Sequence, residues 1–212
     1  MNNYPTVRTD DIFIHPREGD VIVATHGRSI WIADDITPLE QMTPAVESQD
    51  VYLFAPRPAV AYITDLTNNP HIGGQKNFVG PNAPRGTAIN YYLKSAASDV
   101  KISIVDGQGR TLCTSDGGKN AGLNRVEWGL VAPMIPSANP GAGGGGGGFG
   151  GQQQGPPNTS CAAVTGGRGG GGFGGGANNA VQPGTYTVKL TVNGQTYTKL
   201  VDVLEDKWFK VR

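Results

Sequence analysis

The chain carries 212 residues, room for one or two domains. Its 17 basic and 17 acidic side chains cancel, which excludes the electrostatic pull toward nucleic acid or an anionic membrane that a strongly basic protein carries. No run approaches 18 apolar residues, so no membrane span is predicted. Glycine (33) and proline (15) are abundant, but the excess lies in one tract and leaves the rest able to form a core. The start, "MNNYPTVRTDD", has neither a basic n-region nor an apolar stretch and does not read as a signal peptide.

The first element reads as a meander. "DIFI" (Asp11–Ile14), "VIVAT" (Val21–Thr25) and "IWIA" (Ile30–Ala33) are short β-branched and aromatic runs separated by the turns "HPREGD" and "HGRS". The second and third runs are too apolar to be half exposed, so both faces are predicted to be covered. Three strands totalling about 25 residues do not hold together alone in water and need a neighbour.

Within this meander, "ATHGRSIWIADD" (Ala24–Asp35) gathers a histidine, an arginine and two aspartates. The favoured reading is structural. Gly27 supplies the positive φ of a tight reversal, and His26 beside it tolerates turn geometry. Arg28 then lies near the base of the third strand, where an ion pair with Asp34 or Asp35 would pin the turn. Trp31 is a large anchor. The competing readings are a ligand groove and, least favoured, catalysis. Asp34 and Asp35 are adjacent, as are Asp10 and Asp11. On a strand such neighbours point to opposite faces and do not flank one glycosidic bond.

Residues 37–84 read as a connector. One helical turn is expected between Pro38 and Pro44, with Leu39 and Met42 on one side. "DVYLFAPRPAVAYI" is apolar but broken by Pro56 and Pro58, which suits an extended strap better than a central strand. "TNNPHIGGQKNFVGPNAP" is turn chemistry throughout.

Residues 85–206 read as an immunoglobulin-like β-sandwich, without the Cys…Trp…Cys pattern of a true immunoglobulin domain. "DVKISIVD" alternates Val100, Ile102 and Ile104 against polar residues, and "DGQG" turns it back into "RTLCTS". In "AGLNRVEWGL", Leu123, Val126, Trp128 and Leu130 are the expected inward anchors. "PGTYTVKLTV" points Tyr186, Val188, Leu190 and Val192 inward, and Asn193-Gly194 is a strong hairpin signal before "QTYTKLVDVL". Tyr62, Tyr91, Tyr92, Trp128 and Tyr186 are read as core rather than as a sugar-stacking platform. Without its insertion the sandwich has about 70 residues, which is marginal alone, so the strap and meander are expected to pack against it.

The insertion, 133–183, holds over half of the glycines and reads as a disordered loop. Phe149, Phe173 and Arg168 are its only candidates for self-association, and "GGRGGGGF" is too isolated to mark RNA binding. Asn158-Thr159-Ser160 fits the glycosylation sequon. Cys113 and Cys161 belong to no CxxC or Cys/His cluster, which argues against zinc. Their pairing in an oxidising compartment stays open, but Cys161 falls in the glycine tract, so two unpaired thiols are the preferred expectation. His15, His26 and His71 all sit in turn contexts, and neither G-x-S-x-G nor a phosphate-loop motif is present. No catalytic, cofactor-binding or metal-binding residue is assigned. The singled-out positions are the turn and anchor residues His26, Gly27, Arg28, Trp31, Asp34, Asp35 and Trp128.

Three stretches in order, "DIFIHPREGDVIVATHGRSIWIADDITPLEQ", "DVYLFAPRPAV" with "GPNAPRGTAINYYLK", and "AGLNRVEW" with "PGTYTVKLTVNGQTYTKLVDV", resemble the C-terminal end of secreted bacterial sortilin-like, BNR-repeat (glycosyl-hydrolase-like) β-propeller proteins. The last stretch is similar to the Ig-like module of flagellar hook-assembly proteins. The resemblance implies an all-β chain. Residues 1–36 would be the closing strands of a propeller blade, 37–84 a strap, and 85–206 the Ig-like sandwich. It implies further blades and an export signal upstream of Met1, and an extracellular, periplasmic or cell-surface location. The expected partners are those upstream blades and a carbohydrate or cell-surface component, with no nucleic acid and no cofactor. The implied function is a non-catalytic accessory module that closes or presents the propeller. Two alternatives stand beside it: part of a glycoside hydrolase whose catalytic residues lie upstream, and an extracellular assembly protein associating through its glycine loop. The family's Asp-box is missing, because Ser115, Asp116 and Gly117 have the wrong spacing.

Overall fold

A computed structural model describes residues 4–62, 85–131, 160–161 and 181–207. The expectations for the rest of the glycine tract, for His71 and for the sequon residues Asn158 and Thr159 lie outside these residues. The chain is all-β, with two short helices.

Strands β1 (Thr9–Ile14), β2 (Val21–Thr25) and β3 (Ile30–Ala33) form an antiparallel sheet with β2 in the middle. Gly19 (φ +64°) closes the first turn, and Gly27 (φ +75°) with Ser29 (φ +72°) closes the second. Opposite residues share a face, so Phe13, Ile22 and Ile32 lie together, and Ile12, Val23 and Trp31 lie on the other side. The prediction that both faces are covered fails among the described residues. Val23 is buried, but Ile12, Phe13, Ile14, Ile30 and Ile32 are 51% to 64% exposed. Two of the three strands are edges, and no other described element packs along β3.

Helices α1 (Thr37–Gln41) and α2 (Pro44–Glu47) follow, each with proline in its first turn. Two short helices stand where one turn was expected. Pro38 and Val46 are buried while Leu39 is exposed.

The strap supplies two strands, β4 (Val51–Leu53) and β5 (Ala59–Ala61), with Pro56 and Pro58 in the extended link between them. Proline cannot donate to a ladder, and both strands are accordingly edge strands. β4 pairs antiparallel with β6 (Thr87–Leu93), whose other neighbour is β9 (Gly122–Trp128). β5 pairs parallel with β11 (Gln195–Glu205), and the sheet continues through β10 (Gly184–Val192), β7 (Val100–Val105) and β8 (Thr111–Asp116). The strap thus crosses from one sheet of the sandwich to the other and closes one of its open sides.

Alternation fills the space between the sheets. Ile89, Tyr91 and Leu93 come from β6, Val100, Ile102 and Ile104 from β7, Val188 and Leu190 from β10, and Val201 and Val203 from β11. Trp128 is fully buried and meets Tyr186 edge-on, with ring centroids 5.5 Å apart. Tyr92 faces the opposite way from Tyr91 and is half-buried. Leu123 corrects an expected inward anchor: it is 45% exposed. Val126 and Trp128 stand two residues apart and share a face, whereas Leu123 is an odd number of residues from both and must point outward.

The cysteines also correct the expectation. Cys113 and Cys161 form a disulfide, with both residues buried and their Cα atoms 5.0 Å apart. Cys161 is held by its backbone as well. Its N–H donates to Ser115 Oγ (2.8 Å), and its carbonyl accepts from Gly129 N–H (2.9 Å). It lies between edge strand β8 and the end of edge strand β9, so the bridge closes the other open side of the sandwich. Glycine content described the surrounding tract and not this anchored position.

Candidate functional site

The polar cluster near the N-terminus separates into two groups. The first is the turn between β2 and β3. His26 N–H donates to the Arg8 carbonyl (3.0 Å), and its Nδ1 lies 3.1 Å from Asp10 Oδ2, with the imidazole about three-quarters exposed. Trp31 Nε1 donates to the Arg28 carbonyl (3.0 Å), and its indole packs edge-on against Tyr4. The expected ion pair from Arg28 to Asp34 or Asp35 does not form. The three steps from Ile30 to Ala33, at about 3.3 Å each, already set the ends of β3 about 10 Å apart, and Arg28 and Asp34 lie beyond those ends. Among the described residues the Arg28 guanidinium has no ion pair.

The second group joins the meander to the sandwich. Asp35 is buried and sits at φ +57°. Its carboxylate accepts from Thr37 Oγ1 (2.6 Å), Thr37 N–H (3.3 Å) and Asn90 Nδ2 (3.3 Å) on β6. Its own N–H donates to Asp20 Oδ1 (2.9 Å). The Asp34 carbonyl accepts from Arg125 Nη1 on β9 (3.2 Å). Arg57, between the two strap prolines, donates from Nη1 to the Glu18 carbonyl (2.6 Å) and pairs with Glu18 Oε2 (3.3 Å) and Asp20 Oδ1 (3.4 Å). Its carbonyl accepts from Thr87 Oγ1 (2.7 Å). Meander, strap and sandwich therefore meet at one satisfied polar joint, and the carboxylates there are occupied in holding backbone and neighbours.

Sequence reasoning placed Asp34 and Asp35 at this end of β3 and missed Arg57, Asp20 and Asn90. Two signals were present. "PRP" presents one arginine from a stiff extended segment, and Asn90 is a polar residue in the otherwise apolar strand "TAINYYL".

Elsewhere, a polar cleft of ≈ 380 Å³ opens at one end of the sandwich, lined among others by Asp50, Ser95, Asn193 and Gln195. Asp50 is its only carboxylate among the described lining residues, whereas glycoside hydrolysis in most families uses two facing acids. Burial pushes the Tyr91 hydroxyl up to about 12, while its O–H donates to the Gly118 carbonyl (2.7 Å). Tyr186 is also raised, first by burial and then by the Asp106 charge. The Asp106 carboxyl is lowered, chiefly by the Arg110 backbone N–H in the β7–β8 turn. Among the described residues no three His, Cys, Asp or Glu side chains cluster to hold a metal, and no helix is long and apolar enough to cross a membrane.

The chain matches no protein-family model, no curated protein and no solved structure, so its geometry alone carries the functional reading.

Proposed function

We propose that this chain is a non-catalytic accessory module of an exported β-propeller protein, in which β1–β3 is a partial blade and the remainder an Ig-like sandwich that supports it. One observation carries this reading: a three-stranded sheet that is apolar on both faces yet largely uncovered. A sheet with Phe13 and Ile32 on one face and Ile12 and Ile14 on the other suits a place between two other layers, as a blade has between its neighbours. The polar joint supports a role in presentation, because it fixes the sheet's orientation on the sandwich. The disulfide supports work outside a reducing cytosol, where such bonds persist.

Fractionation of the source cells, followed by an immunoblot against the sandwich, tests the proposal. The expected antigen is extracytoplasmic and belongs to a polypeptide well over 212 residues long. A cytoplasmic polypeptide of this length alone overturns the reading. Turnover of oligosaccharides by the purified chain overturns its non-catalytic part.

A further inference from the structure

The two edges of the meander differ in a way that selects a partner. On β1 the ladder is interrupted by a register shift between Thr9 and Asp11, and Asp11 Oδ1 accepts the adjacent Ile12 N–H (2.8 Å). Bulges and charged residues of this kind blunt an edge against further pairing. β3 has neither. It reads Ile-Trp-Ile-Ala, with no charge, no proline and no bulge.

The ladder fixes which groups β3 leaves open. Thr25 N–H donates to the Ser29 carbonyl, so Ser29, Trp31 and Ala33 turn their backbone groups toward β2. The alternation of antiparallel bonding then directs the N–H and C=O of Ile30 and Ile32 outward. No described residue takes them. Charge is placed symmetrically about this edge. Arg28 and Asp34 stand three residues either side of Trp31, and neither side chain has an ion pair among the described residues. Arg125 donates to the Asp34 carbonyl and pairs with Glu127.

We infer that β3 pairs antiparallel with β3 of a second copy of this chain, about a two-fold axis at Trp31. Ile30 then lies opposite Ile32 of the second copy and Ile32 opposite its Ile30, which satisfies the four open backbone groups on each copy. The same two-fold sets the Arg28 turn of each copy beside the Asp34 end of the other, so opposite charges meet at both ends of the paired strands. It also makes one continuous apolar strip from the Phe13–Ile22–Ile32 faces. This is the isologous arrangement of a two-fold dimer. It occupies an edge and leaves both faces of the sheet free, so it does not depend on the propeller reading.

Sedimentation of the 212-residue chain over a range of concentrations tests the dimer, and charge reversal tests the register. The chain is expected to self-associate. Arg28→Asp places like charges together twice per dimer and weakens association by about tenfold or more. Arg28→Asp combined with Asp34→Arg restores opposite charges and recovers most of the affinity. Trp31→Cys, at the non-hydrogen-bonded centre where Cα atoms approach to about 4.5 Å, is expected to crosslink at position 31 under mild oxidation. A chain that stays monomeric overturns the proposal. So does a dimer indifferent to Arg28→Asp, or one that the double reversal fails to rescue.

Discussion

Asp35 and Asn90, 55 positions apart, meet at the seam between the meander and the sandwich, where Asn90 Nδ2 donates to Asp35 Oδ2 at 3.3 Å. Asp35 follows the last strand of the meander and Asn90 lies within β6 of the sandwich, so this bond and its neighbours tie the two sheets together. Asp35→Ala removes the acceptor for three donors and forces a Cβ residue without local hydrogen bonding to keep φ +57°. A loss of about 2–4 kcal/mol is expected from the combination. Asp35→Asn tolerates the left-handed backbone and keeps one acceptor oxygen, so it should cost less than half as much. Urea unfolding of the two variants measures the difference, and equal costs would remove the joint from the account.

The Cys113–Cys161 bridge closes a separation of 48 residues, for which the loop-entropy relation gives about 4 kcal/mol. Cys113→Ala with Cys161→Ala is therefore expected to lower the melting temperature by more than about 10 °C. Reducing the wild-type chain should have the same effect. Thermal unfolding with and without a dithiol checks both, and the double variant should show no response to the reductant.

The exposed apolar face carries an opposite expectation. Phe13→Ser and Ile32→Ser alter side chains that are more than half exposed, so stability should change by less than about 0.5 kcal/mol for each. Binding of a hydrophobic dye should nevertheless fall, because these two side chains lie side by side with Ile22 on one face. Dye fluorescence and urea unfolding on the same samples separate an exposed apolar surface from a covered one. A large loss of stability would mean that the face is covered in the native chain.

Strand alternation made β7 and β10 legible, and Asn193-Gly194 marked β11 as the hairpin partner of β10 because a tight reversal needs both residues at positive φ, here +48° and +87°. The strap was half legible. Pro56 and Pro58 excluded a central strand, but nothing local revealed that β4 and β5 join different sheets, since pairing with Tyr91 and Val203 is a long-range fact. Leu123 misled because hydrophobicity was read without counting parity from Trp128. The seam was least legible. Asp20, Arg57 and Asn90 converge only after three elements have packed, and their spacing in the sequence carries no period.

Tyr91 offers a probe of the core through pH. Its side chain is buried, and its hydroxyl is raised to about 12 from 10.0, mainly by burial. The unfolded chain therefore loses this proton near pH 10, while the folded chain retains it. Stability contributed by the neutral phenol is complete below about pH 10 and is lost as pH rises toward 12. Tyr91→Phe removes the titrating group together with the bond to the Gly118 carbonyl. It should cost about 1 kcal/mol near neutrality and flatten the alkaline decline. Unfolding measured between pH 8 and about 11.5 tests the sign. A variant that loses stability with alkaline pH as steeply as the wild type would assign the decline to other groups and leave Tyr91 a purely packed residue.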